Sequence, residues 1–357
     1  MQVRCKKVVT WLFLLLLVFM MSGCWDTRDI NHRVMPVVLG ISKDSDQYKV
    51  FLQIPHPQQD MIQTKVVVGV GETINEIVDD ISADMESSVD LLHVKVIVID
   101  RLLAEEGVKD LISGIMRSRD VSSKALVAIC NDDIDRFFES MEKNTSPRGT
   151  TLLDFFEKNA GWDPQVALTR VWEVYRSIHS YTRDVAIPML SLGETTLVDH
   201  VGSAVIKNGK MVEEINPNET LLYNAFKGES TEGKIEVLNE GSVLILGNTI
   251  EHTSEVRKEP FLYTKIKLDV MILETKGDPT EKMIEKGLEK LLTDRLNKMF
   301  SKLQNSEADI LGLGQFFRKE IPRMDLKEWR SKYYQNLSTD FVVDVDIRNS
   351  GNLKNPG

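Results

Sequence analysis

The chain has 357 residues, 42% of them hydrophobic and 27% charged, with a formal net charge of −10. This is the balance of a folded globular chain and excludes an intrinsically disordered one, and the length suggests two or three domains. An acidic body gains nothing from a polyanion, which argues against a nucleic-acid partner and against electrostatic adhesion to anionic lipid head groups.

The first element is a leader. The chain opens MQVRCKK, with three cations and no acid, and continues VVTWLFLLLLVFMM without a charge from Val8 to Met21. A membrane-spanning helix needs about 20 apolar residues, so the shorter run is read as the core of a secretory signal peptide. Small residues Ser22 and Gly23 stand directly before Cys24. A cysteine in this position resembles the bacterial lipobox, in which the peptide is cut before the cysteine and the thiol is diacylated; Met21 stands where that signal usually carries Leu. Residues 1–23 are therefore expected to be a removed lipoprotein signal peptide and Cys24 the lipidation site. Losing the three cations Arg4, Lys6 and Lys7 would take the net charge from −10 to −13. Cys5 goes with the leader, so Cys130 is the remaining candidate for a free thiol, and its place at the end of KALVAIC reads as a packed small hydrophobe.

After Cys24, WDTRDINHRV reads as a short polar tether in which Trp25 rests at the lipid interface, the alternative being that Trp25 and Asp26 make a sorting or docking contact. MPVVLGIS and YKVFLQIP are predicted strands around the turn KDSDQ, and KVVVGVG is a third. ETINEIVDDISADMESSV has helical spacing, LLHVKVIVID is a strand, GVKDLISGIMRS a helix, KALVAIC a strand and NDDIDRFFESM a helix. That alternation predicts parallel strands joined by helical crossovers. TLLDFFEK and VALTRVWEVYRSIHSY are predicted as further helices before AIPMLSLGET. DHVGSAVIKNGKMVEEINPNETLLYNAFKG reads as strand, turn, strand and helix, a small insert.

The last region changes style. SVLILGNTI, PFLYTKIKLDVMILE and FVVDVDI are predicted strands, and their strict alternation marks an antiparallel sheet with one wet face. Between the last two a long helix is predicted from Asp278 as N-cap and Pro279 as first residue. Its apolar positions recur every four residues from Met283 to Leu303, so the stripe winds by roughly 200° and its two ends must face different neighbours. ADILGLGQFF is expected to be a helix and turn with Ile310, Leu311 and Phe316 buried, Gly312 and Gly314 allowing a bend or close packing. The fold class is thus α/β and α+β, multidomain: an N-terminal α/β layer domain at 24–198, a small middle domain at 199–240, and at 241–357 a C-terminal antiparallel sheet packed with long helices.

No catalytic constellation emerges. GVGETI lacks the third glycine and the lysine of a phosphate-binding loop and reads as a strand-to-helix turn. There is no G-x-S-x-G elbow and no H-E-x-x-H, and the six histidines lie singly. KDSDQ lacks the glycine and terminal glutamate of a calcium loop. The expectation is no enzyme, no metal and no cofactor.

Five segments in order resemble one family. GCWDTRDI resembles the start of the Ger(x)C spore-germination lipoproteins, and LLHVKVIVIDRLLAEEGVKDLI their histidine-containing strand and helix. VGSAVIKNGKMVEEINPNET is similar to their small-domain segment, with Ile206 where Phe is common. ADILGLGQFFRKEIP and VVDVDIRNSG are similar to their C-terminal signature. The resemblance implies three α/β-type domains and a non-enzymatic, palmitate-type lipid-anchored subunit of a nutrient germinant receptor. It further implies two integral membrane subunits as partners and a place on the outer face of the spore inner membrane. The alternative is a solute-binding lipoprotein of a transporter, which would show two similar α/β lobes with the ligand between them.

Overall fold

A computed structural model of the chain describes Trp11 and residues 33–58, 61–143, 151–156, 163–194, 196–229, 231–256 and 258–349. The strands are β1 (Arg33–Val34), β2 (Val38–Asp44), β3 (Gln47–Gln58), β4 (Met61–Gly71), β5 (Ser88–Val89), β6 (Val96–Asp100), β7 (Leu126–Cys130), β8 (Val185–Leu192), β9 (Val198–Lys207), β10 (Lys210–Ile215), β11 (Ile235–Val237), β12 (Gly241–Val256), β13 (Pro260–Thr275) and β14 (Ser338–Asn349). The α-helices are α1 (Ile74–Asp84), α2 (Arg101–Glu106), α3 (Lys109–Ser118), α4 (Ile134–Lys143), α5 (Thr151–Phe156), α6 (Val171–Ile178), α7 (Pro217–Phe226) and α8 (Glu281–Asn305).

Eight strands form one sheet in the order β10-β9-β8-β7-β6-β2-β3-β4. The inner four, β2, β6, β7 and β8, run parallel, as the strand-helix rhythm predicts, and the flanking strands close the sheet antiparallel. Both faces are covered. Ile77, Ile81, Leu111, Ile112, Val171 and Val174 from α1, α3 and α6 pack on Leu39, Leu52, Ile97 and Ile129. On the opposite face Phe137, Phe138, Met141 and Leu152 from α4 and α5 pack on Val38, Phe51, Val98 and Cys130. A parallel strand buried on both sides must be apolar throughout, and every residue of LVAIC in β7 is buried. The Cys130 thiol is fully buried and pushed up to about 12 by that burial, so it is a packing group and not a nucleophile.

The segment 199–240, expected as a small middle domain, gives β9 and β10 to the edge of this sheet and β11 to the second sheet. The KNG turn joins β9 to β10 with Asn208 and Gly209 at φ 52° and 80°, the left-handed pair that a tight hairpin turn requires. Asn216 caps α7 reciprocally with Glu219, as the NPNE pattern allows.

The second sheet has the order β11-β12-β13-β14. β12 and β13 are sixteen-residue antiparallel partners, but β14 runs parallel to β13. Alternation in FVVDVDI reports which face is wet and not which way the strand runs. Here α8 and residues 306–337 supply the crossover that a parallel partner needs. α8 starts at Glu281 after Thr280, two residues later than the Asp278 cap predicts. Its buried positions Ile284, Leu288, Leu292 and Leu296 step by four, then Met299, Phe300 and Leu303 correct the drift. Both of its neighbours lie within the chain: β14 along its length, and α7 with residues 308–337 near its C-terminal end.

Two further predictions fail locally. Residues 166–170 are not helical, because Thr169 accepts from the Val127 amide and Arg170 bridges to Leu126, which commits the backbone there to β7. LLH at 91–93 is a 3-10 turn ahead of β6.

Gly40 in β2 tests the packing of the α4 face. Phe138 stacks on Phe51 with centroids 4.8 Å apart, and a Cβ at Gly40 would lie 2.3 Å from the Phe138 ring. Gly40→Ala should destabilise the protein by about 1–3 kcal/mol, measured as the urea midpoint, and the cost should shrink in a Phe138→Leu background.

Candidate functional site

The predicted lipidation site, Cys24, lies outside the described residues, as do the leader and Trp25. Among the described residues no group of three or more His, Cys, Asp or Glu is arranged to hold a metal ion. GVGETI is the turn from β4 into α1, where Thr73 caps the helix reciprocally with Glu76 and Gly71 leaves room for Ile77. KDSDQ is the β2–β3 hairpin turn, with Ser45 at φ 55°. His252 is neutral, its pKa pushed down to about 4 by burial against Phe226 and Phe316, with Nδ1 3.0 Å from the Thr264 hydroxyl.

The concentrated polar chemistry of the chain lies where the two sheets meet. Asp309, in the loop after α8, is fully buried. Its Oδ1 accepts from the Leu313 amide at 2.8 Å, and its Oδ2 from the Gly314 amide at 2.8 Å and the Trp329 indole at 2.9 Å. Asp184, at the entrance to β8, accepts from the Asp309 amide at 2.9 Å, while its own amide donates to the Asp309 carbonyl at 2.8 Å. Arg330 then clamps Asp184, with Nε 2.9 Å from Oδ2 and Nη2 2.7 Å from Oδ1, and Nη2 also donates to the Ser180 carbonyl at 2.7 Å. Gln315 donates across the same joint to Thr182.

The loop needs both of its glycines. Gly312 has φ 69°, and a Cβ there would lie 2.8 Å from the Arg183 guanidinium. A Cβ on Gly314 would lie 2.6 Å from the Trp329 ring. Residues 313–319 form a 3-10 helix rather than an α-helix. Ile310 and Leu311 are buried as expected, but Phe316 is only partly buried, and Phe317 takes the core position against Trp329.

Burial, followed by the nearby Asp184 charge, raises Asp309 to about 6 although three N–H donors oppose the shift. Every carboxylate oxygen of this cluster is met by a protein donor, so the pair acts as a latch between the sheets. The sequence showed the apolar, glycine-containing ADILGLGQFF but not its partner, which lies 125 residues earlier.

Three smaller ion pairs extend the joint. Lys227 meets Glu173 at 3.1 Å, Lys302 meets Glu219 at 3.0 Å, and Lys207 meets Glu307 at 2.9 Å. Beside them a polar cleft of about 540 Å³ is lined by Arg101, Glu105, Glu213, Glu214 and Lys302, with Arg101 already held by Glu105, Glu214 and Asn131.

These features define a two-sheet α/β protein whose sheets are joined through a buried, hydrogen-bonded carboxylate pair. Residues 26–192 match the family described as spore germination protein N-terminal domain, and residues 201–351 match the one described as spore germination B3/GerAC like, C-terminal. The chain belongs to the Ger(x)C family of spore germination proteins. It is similar to spore germination protein GerQC of Bacillus cereus, 22% identical over 96% of this chain and 98% of that protein. Spore germination protein KC of Bacillus subtilis (strain 168) is 21% identical over 98% of each. The crystal structure of the GerBC protein has the same fold, with a TM-score of 0.57 at 16% identity, covering 87% of this chain and 97% of that one.

Arg330→Ala should cost about 3–5 kcal/mol, because it leaves the fully buried Asp184 carboxylate without its cation; chemical denaturation measures it. Asp309 also predicts a pH dependence. Its folded pKa of about 6 stands above the ordinary 3.8, so between those values the folded chain holds a proton that the unfolded chain has lost. Its contribution to stability therefore falls as pH rises through that window and is level above it. Asp309→Asn should remove this slope, seen by comparing urea midpoints of the two proteins at acid and neutral pH.

Proposed function

We propose that this protein is a non-enzymatic subunit of a spore germinant receptor, anchored through a diacylated Cys24 on the outer face of the spore inner membrane beside two integral membrane subunits. The observation that carries the reading is the ordered match of both halves of the chain to spore germination families, over residues 26–192 and 201–351. Further support comes from the basic, apolar leader that ends at Ser22-Gly23-Cys24. Among the described residues no helix is long and apolar enough to cross a membrane. Two acyl chains bury roughly 30 methylenes at about 0.8 kcal/mol each, enough to make the anchor effectively permanent even if half is realised. The joint between the sheets supports a non-catalytic role, since its buried acids are spent on Arg330, Trp329 and backbone amides. A solute-binding lipoprotein of a transporter is disfavoured: the eight-stranded and four-stranded sheets differ in size and strand order and do not form two like lobes.

A tagged copy purified from spore membranes should bring down two multi-span membrane proteins, and should incorporate labelled palmitate that Cys24→Ala abolishes along with most of the germination response. Recovery of the wild-type chain unlabelled, or alone, would contradict the reading.

A further inference from the structure

The chain is acidic in sum, but one cleft at an end of the eight-stranded sheet is lined by cations. Three segments come together where β6 and β7 begin. The Leu126 amide donates to the Lys95 carbonyl at 2.8 Å, the Val171 amide to the Ala125 carbonyl at 3.0 Å, and the Trp172 amide to the Ser123 carbonyl at 3.1 Å. Paired backbone therefore fixes Lys95, Lys124 and Arg170 around one cleft of about 540 Å³. Leu153 and Leu168 contribute apolar wall, Trp172 stands at the lip 37% exposed, and among the described residues no carboxylate lines the cleft. Lys95 and Lys124 form no ion pair with a described residue. Arg176 lies over the Trp172 ring, 4.8 Å from its centroid, and adds a fourth cation at the rim.

The second observation is where the chain comes from. The Lys95 and Val96 amides both donate to the Val37 carbonyl, so the first described strands start at the same end as the cleft. Arg33 is nine residues after Cys24. Fully extended, that stretch reaches at most about 30 Å. If Cys24 is the anchor, Arg33, just ahead of β2, cannot lie farther than that from the lipid surface.

We propose that the cleft of Lys95, Lys124, Arg170 and Trp172 is a membrane-surface site that takes the phosphate of an anionic phospholipid head group and so orients the tethered protein. The chemistry fits the occupant: several cations without competing acids for the phosphate, apolar walls for the first part of the acyl chain, and an amphipathic indole at the depth where such rings settle. The proposal rests on the Cys24 reading for the location of the membrane, and on the cation cluster for what meets it.

The test uses the whole lipidated protein on vesicles of phosphatidylcholine alone or mixed with phosphatidylglycerol. A fluorophore is attached at Ser123→Cys, beside the cleft, or at Asp46→Cys, in the β2–β3 turn at the far end of β2; Cys130 is buried and does not compete. Quenchers are carried on the lipid head groups. The label at 123 should be quenched on phosphatidylglycerol vesicles and much less on phosphatidylcholine, while the label at 46 stays bright on both. High salt should relieve the quenching. Lys95→Glu with Lys124→Glu should lower the docked fraction by at least about fivefold, the factor expected for one basic residue at an anionic surface, with the protein still bound to the vesicles. Equal quenching on both lipids, or stronger quenching at 46, overturns the site. Quenching at 123 that appears only when integral membrane subunits are added overturns it too, in favour of a protein partner. Protein that is retained on phosphatidylglycerol but released from phosphatidylcholine overturns the Cys24 anchor and supports the site. Protein that binds neither overturns both.

Discussion

One buried carboxylate holds the arrangement together. Asp309, fully buried, gathers two backbone amides and the Trp329 indole, and the Asp309 backbone is locked to Asp184 in both directions. An unpaired charge at such depth would be prohibitive, so each partner must be present for the others to be tolerable. That requirement fixes the loop at 308–317, seats Trp329 against Phe317, and brings Arg330 onto Asp184. The β8 end of one sheet and the α8 end of the other thereby become one surface. The two glycines follow from it, since neither Arg183 nor Trp329 could approach if residues 312 and 314 carried a Cβ.

How much of this was legible depended on the range of the interaction. Local chemistry could be read. The NPNE cap, the KNG turn, the alternating faces of β13 and the buried Cys130 are all set by residues within a few positions of one another. The direction of β14 was not, because a strand's pattern is the same read parallel or antiparallel and only the crossover decides. Helical spacing at 166–170 lost to strand pairing with β7. The latch and the cation cleft were invisible for the same reason: Asp184 and Arg330 are 146 residues apart, and Lys95, Lys124 and Arg170 come from three separate segments with no basic run among them. A net charge of −10 is a sum over the chain and carries no information on where individual cations gather.

The two features suggest a division of labour along the molecule. The cleft lies where β6 and β7 begin, and the latch joins the β8 end of the same sheet to the second sheet. On the proposed membrane-facing orientation, a rigid joint would carry a displacement from one place to the other, where a soft joint would absorb it. The joint here is built from charge-assisted hydrogen bonds and ring packing, with Lys227–Glu173, Lys302–Glu219 and Lys207–Glu307 bracing it from the sides.

Whether the joint is as firm as its bonding implies can be read directly from native-state amide hydrogen exchange at Asp309, Leu313 and Gly314. These three amides donate to the latch carboxylates and lie in the loop and at the start of the short 3-10 helix after α8, where exchange is ordinarily fast. If the latch unites the sheets, they should exchange only through global unfolding, at the same rate as amides in the middle of β13. Exchange many-fold faster than β13, with the strand amides still protected, would show that the sheets part in the native state and that the latch does not hold them.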